Sequence, residues 1–96
     1  NARMNRVGTR IETYCGDASL LQLNTYDVIL ANINRNILLQ DIPTYSRSLK
    51  NGGLLFVSGF YLEDMPMLVG TAAGAGLEYI SHDSIDNWCC IKFRKA

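Results

Sequence analysis

Three short clusters, Gly16-Asp17, Asn32-Ile33-Asn34 and Ser58-Gly59, each follow an apolar, β-like run, and they hold the groups best placed for chemistry. Ligands of open α/β sheets sit beyond the carboxyl ends of the strands. With the three runs parallel, a carboxylate, two amides and a hydroxyl converge on one rim, where they can hydrogen-bond and orient a polar ligand. The parts of several other chemistries are missing. The sequence has no G-x-G-x-x-G loop after a strand, no Walker loop and no G-x-S-x-G elbow. Its one histidine, His82, sits in a polar segment beside Asp83, where a surface role is expected rather than a catalytic one. Hydrolase and kinase readings therefore have no machinery. Cys15, Cys89 and Cys90 are odd in number and lack the paired spacing of a zinc site, so no metal centre is expected. As neighbours on a strand, Cys89 and Cys90 point to opposite faces, and a bond between them would be strained. Buried, reduced thiols and a cytoplasmic location follow.

The elements that position this rim alternate between strand-like and helical patterns, as in an α/β fold. Residues 1–7 read as the tail of a helix, with Gly8 as its left-handed C-cap. Residues 10–15 alternate as a half-buried strand does, and 18–23 suit a short helix. Residues 26–31 are almost continuously apolar, the pattern of a parallel strand covered on both faces. Asn34 is placed to N-cap a helix whose Leu38, Ile42, Tyr45 and Leu49 recur at helical spacing. Pro43 lies inside that pattern and is expected to kink or split the helix. Asn51-Gly52-Gly53 should end it and turn into a second buried strand, 54–57, closed by Ser58-Gly59. A further helix from about Asp64 to residues 74–76 carries Pro66 in its first turn, where proline is tolerated. Residues 77–81 and 88–93 read as two antiparallel strands, because too few residues separate them for a parallel crossover. The link from Cys15 to Tyr26 has little room for a full crossover helix. Those two strands are therefore expected to stand apart, with a gap that other strands fill.

Composition bounds the partners. The 96 residues suit one domain with a modest core, and 48% hydrophobic content is ordinary for a globular chain. Nine basic and nine acidic side chains give zero net charge, which argues against a generic binder of nucleic acid or anionic membrane. The longest apolar-rich stretch, 65–77, contains Pro66 and falls short of the roughly 20 residues a membrane helix needs. Charge is uneven along the chain. Arg3, Arg6 and Arg10 open it, Lys92, Arg94 and Lys95 close it, and between Lys50 and Lys92 there are only acids.

Asp27-Val28-Ile29-Leu30-Ala31-Asn32-Ile33, the proline-containing helix, and Leu49-Lys50-Asn51-Gly52-Gly53-Leu54-Leu55-Phe56-Val57-Ser58-Gly59 together resemble class I S-adenosylmethionine-dependent methyltransferases. The family most similar is the one that methylates ribosomal protein L11. Trp88-Cys89-Cys90-Ile91-Lys92-Phe93-Arg94 resembles that family's last strand, and the likeness extends over essentially all 96 residues. Its most specific part is Ala31-Asn32-Ile33 combined with the glycine-flanked strand that ends at Ser58-Gly59. The resemblance implies an α/β, Rossmann-like, three-layer fold whose seven-stranded sheet ends in an antiparallel strand pair. It implies that residues 1–96 are the C-terminal part of a methyltransferase catalytic domain, lying after the first two strands and the glycine-rich loop.

The same resemblance implies S-adenosyl-L-methionine as cofactor, with a site incomplete in this chain. The loop that cradles the methionine part and the acid that holds the ribose belong to those earlier strands. Two residues carry over as cofactor-binding. Asn32 matches the asparagine that ends the family's fourth strand and borders both cofactor and target amine, where its carbonyl can accept a hydrogen bond from the nucleophile. Asp17 falls where many class I enzymes hold an acid near the adenine amino group. No catalytic residue is assigned. The implied reaction is methyl transfer to lysine or terminal amines of a ribosomal protein, with no direct nucleic-acid or membrane partner. The strands alone also suit half of a dinucleotide-dependent oxidoreductase or a non-catalytic α/β interaction module. Neither explains Ala31-Asn32-Ile33 as well. Nothing in the sequence bears on oligomeric state.

Overall fold

The computed structural model describes residues 2–6, 9–14, 21–32 and 35–96, with side chains at 21–32, 36 and 39–96. Six strands form one mixed sheet: β1 (Ala2–Arg6), β2 (Thr9–Tyr14), β3 (Tyr26–Asn32), β4 (Leu49–Tyr61), β5 (Leu77–Ile85) and β6 (Trp88–Lys95). Two α-helices, α1 (Arg35–Ser48) and α2 (Met65–Gly74), accompany them. The strand order is β1-β2-β3-β4-β6-β5. β2, β3 and β4 run parallel, while β1, β6 and β5 are antiparallel to their neighbours.

The core lies on one side of this sheet. Ile29 and Ala31 of β3, Leu55 and Val57 of β4, and Cys89, Ile91 and Phe93 of β6 are buried beneath Ile42 and Tyr45 of α1 and Leu68 and Ala72 of α2. Leu55 is central to it, in register with Ile29 on one side and Phe93 on the other. The helices meet each other over small residues, and the Ser46 hydroxyl donates to the Ala75 carbonyl at 2.7 Å. Among the described residues no helix covers the opposite face. Val28, Leu54 and Phe56 there are half-buried, and Leu30 is exposed. The coverage of β3 and β4 on both faces expected from their apolar runs is therefore met on one. The apolar residues of the second face are present without the layer that would bury them.

Several elements differ from the expectations. Residues 2–6 form a strand, not a helix tail, paired with β2 from Ala2↔Thr13 to Arg6↔Thr9. A helix of so few residues has no adequate nucleus, whereas pairing satisfies the outer backbone groups of β2. β2 also lies directly against β3, with Ile11 opposite Val28 and Tyr14 opposite Ala31, so the expected gap between them is closed. This pairing removes the otherwise open edge of β3. Residues 21–25 form turns rather than helix. The rest of the expected short helix, with Gly8, Cys15, Gly16, Asp17, Ile33 and Asn34, lies outside the described residues.

α1 runs through Pro43 without splitting. Its buried face, Ile42 and Tyr45, spans the proline, and its last carbonyls are capped by the chain entering β3. There the Asn24 and Thr25 amides donate to Arg47 and Ser48, each at 2.8 Å. Asn51-Gly52-Gly53 lies inside β4 as a bulge, since the register moves from Tyr26↔Leu49 to Val28↔Leu54. Gly52 has φ +81°, and a Cβ on Gly53 would stand 2.8 Å from the Lys50 carbonyl oxygen. Only glycine fits both conditions. β4 likewise continues past Gly59, whose φ of +100° forms a second bulge between Ser58 and Phe60.

α2 begins after Asp64 with Pro66 in its first turn, as expected. β5 and β6 form the expected antiparallel pair. The polar segment between them is mostly strand, and only Asp86 and Asn87 make the turn. Their φ values of +49° and +69° fit a type I′ hairpin. No helix among the described residues is long and apolar enough to cross a membrane.

Candidate functional site

Register places Asn32 of β3, Ser58 of β4 and Cys90 of β6 in one row at the carboxyl end of the parallel strands. Paired residues of neighbouring strands share a face, and this row stands on the face without helices. Asn32 and Cys90 are exposed and Ser58 is half-buried. With Leu30, Ala31 and Phe56 they line an open depression of about 290 Å³. The next row back, Leu30, Phe56 and Lys92, gives it an apolar floor, and the Lys92 ammonium lies 5.9 Å from the Phe56 ring centre. Among the described residues the Asn32 side-chain amide has no hydrogen-bond partner. It is a free donor and acceptor at the lip of an apolar recess.

Two of the three clusters singled out in the sequence are thus brought together, at Asn32 and Ser58. Asp17, in the third, lies outside the described residues. Cys90, Phe56 and Lys92 were not anticipated as neighbours of Asn32. Their placement depends on the register of β4 against β3 for Phe56, and on the antiparallel register of β6 against β4 for Lys92 and Cys90. The two cysteines do face opposite ways, Cys89 buried and Cys90 exposed, and neither is bonded. Of these two, Cys89 fits the expectation of a buried thiol and Cys90 does not, while Cys15 lies outside the described residues. Burial pushes the Cys89 thiol up, with Glu63 and Asp64 adding to the effect. Cys90 is raised by partial burial, then by Asp83 and Cys89. Both therefore remain protonated near neutrality, and neither offers a thiolate nucleophile. His82 is an exposed residue of β5, opposite Ile91 and so on the other face from Cys90, and its Nδ1 pairs with the Tyr79 hydroxyl at 2.6 Å. Among the described residues no cluster of His, Cys, Asp or Glu is arranged to hold a metal.

An asparagine at the end of a parallel strand, beside a strand flanked by glycines, is the pattern on which the family resemblance rests. Residues 1–96 match the family model of the ribosomal protein L11 methyltransferases. The chain belongs to that family. It is 42% identical over 94 residues to the ribosomal protein L11 methyltransferase of Phocaeicola vulgatus, covering 97% of this chain and 33% of that protein. The chain thus spans about a third of the length of the relatives it matches. The crystal structure of a ribosomal protein L11 methylase from Lactobacillus delbrueckii subsp. bulgaricus superposes with a TM-score of 0.69 at 26% identity, over 75% of this chain and 38% of that one. A methyltransferase from Burkholderia thailandensis, solved with S-adenosylhomocysteine bound, shares the fold alone, with a TM-score of 0.68 at 13% identity, over 85% of this chain and 49% of that one. The four strands β3 to β6, with their antiparallel terminal pair, and the two helices are those of class I methyltransferases.

Proposed function

We propose that residues 1–96 are the C-terminal part of the catalytic domain of a cytoplasmic methyltransferase. It transfers a methyl group from S-adenosyl-L-methionine to lysine or terminal amines of ribosomal protein L11. The observation that carries this reading is the exposed Asn32 amide, without a hydrogen-bond partner among the described residues, at the carboxyl end of β3 above an apolar recess. Bound there, the cofactor supplies an electrophilic methyl on a sulfonium. The chain's own task is to present a neutral amine to it.

Free lysine has a pKa of about 10.4, so the amine must be desolvated to lose its proton. Leu30, Ala31 and Phe56 provide the dry surface, and the Lys92 charge over Phe56 further disfavours a second cation. The Asn32 carbonyl accepts a hydrogen bond from the amine and so aims its lone pair. Asp17 is assigned to the adenine amino group on the family pattern. These residues suit the reacting end of the cofactor, while the sequence offers no glycine-rich loop for its methionine part. The family match lends no support to a dinucleotide oxidoreductase or a non-catalytic module.

Two experiments test the proposal. Replacing the matched stretch of the Phocaeicola vulgatus relative with this chain is expected to give a protein that transfers labelled methyl groups to L11. A folded chimaera that binds cofactor yet transfers nothing would overturn the assignment. Calorimetric titration of the 96-residue chain itself with S-adenosylmethionine is expected to show no tight binding. Micromolar affinity would mean that this segment holds the whole cofactor site.

A further inference from the structure

The acids between Lys50 and Lys92 have no part in that chemistry, yet several flank one exposed apolar patch. Tyr61, the last residue of β4, pairs in register with Trp88, the first of β6, and Trp88 pairs with Ile85 at the end of β5. The two rings meet edge to face, 5.5 Å between centres at 79°. Tyr61 is 50% exposed, Trp88 47% and Ile85 76%. Single exposed apolar residues are ordinary, but a contiguous group that includes two aromatic rings marks an interaction surface.

The patch is held by backbone and side-chain clips. The Leu62 amide donates to the Asn87 carbonyl at 3.0 Å, and the Asn87 side-chain amide donates to Glu63 at 3.2 Å. The Tyr61 amide donates to the Asp64 carboxylate, also at 3.2 Å. The turn after β4 is thereby fastened to the hairpin tip, which lowers the ordering cost of binding there. Trp88 lies two residues from Cys90 on the same face of β6, about 7 Å along the strand. The patch therefore runs directly into the depression that ends at Asn32. Glu63 and Asp64 border it on one side, Asp86 on the other, and Asp83 sits opposite Cys90 between patch and depression.

We propose that this patch docks the protein substrate: a basic polypeptide segment that seats one apolar or aromatic side chain against Tyr61 and Trp88 while its Lys or Arg residues face the acids. The segment is then held with an amine within reach of Asn32. This rests on the methyltransferase reading and adds to it the surface on which the substrate lies. Charge selects the occupant. The acids repel the phosphates of a nucleic acid, and a second copy of this chain would bring an equally acidic face.

Trp88 is the only tryptophan, so its emission reports on the patch alone. The 96-residue chain, without cofactor, is titrated with a lysine-rich peptide carrying one leucine, and with an acidic peptide of the same length. Saturable change in emission is expected with the basic peptide only, weakening as salt is raised. Asp86→Asn combined with Asp83→Asn should weaken it roughly three- to tenfold. Asn suits the left-handed turn position at 86, so that variant keeps the hairpin. No change with the basic peptide, equal binding of the acidic one, tighter binding of single-stranded DNA, or a concentration-dependent shift with dimer mass in the absence of peptide would each overturn the proposal. No methyl transfer occurs in this assay, so its outcome is independent of whether the methyltransferase reading holds.

Discussion

Alanine at Leu55 is expected to cost about 2–5 kcal/mol of stability, whereas alanine at its neighbour Phe56 costs markedly less. Leu55 is fully buried between Ile29 and Phe93, in the core beneath α1, and its loss leaves a cavity that the sheet cannot close. Phe56 points to the face without helices and is half-buried there, with the Lys92 stem beside it. Domains have a total stability of only about 5–15 kcal/mol. Leu55→Ala should therefore bring the chain close to unfolding, with the urea midpoint falling steeply at unchanged slope. Equal losses at the two positions would show that a second layer covers Phe56.

Asn32→Ala should lower kcat/KM for methyl transfer by about 100-fold in the chimaera with the Phocaeicola vulgatus relative, an effect of the size that lost orientation of a nucleophile produces. The amide carbonyl is proposed to act on the amine only while its lone pair faces the methyl group. The loss should therefore appear mainly in kcat. The fold is expected to be indifferent to the change, since the Asn32 side chain is exposed and has no partner among the described residues. Ser58→Ala, one strand away in the same row, should cost far less, because no step depends on its hydroxyl.

Much of this fold was legible in the residues. The apolar run at 26–31, the glycine-flanked run at 54–57, the helical spacing of Leu38, Ile42 and Tyr45, and Pro66 in a first turn mark β3, β4 and the two helices. The short spacing between 81 and 88 required an antiparallel end. The place of Asn32 at the end of a buried strand was legible too, while the role proposed for it comes from the family resemblance. Other features depended on balances that local pattern does not carry. Pro43 leaves α1 intact because Ile42 and Tyr45 anchor both sides of it in the core. The strand at 2–6 exists because β2 offers it an edge, which is a tertiary circumstance. The apolar character of β3 and β4 records a capacity for burial on two faces, of which one is used. Cys90 joined the site through the antiparallel pairing of β6 with β4, whose register no hydrophobic period announces.

The most direct measurement is the single-turnover rate of methyl transfer to L11 by the chimaera carrying this chain, compared with its Asn32→Ala variant at saturating cofactor. A drop of about 100-fold, with the substrate amine still bound, is expected if Asn32 aims the amine at the methyl group. Rates that agree within about threefold, well under the 1.36 kcal/mol of a tenfold change, would contradict that role.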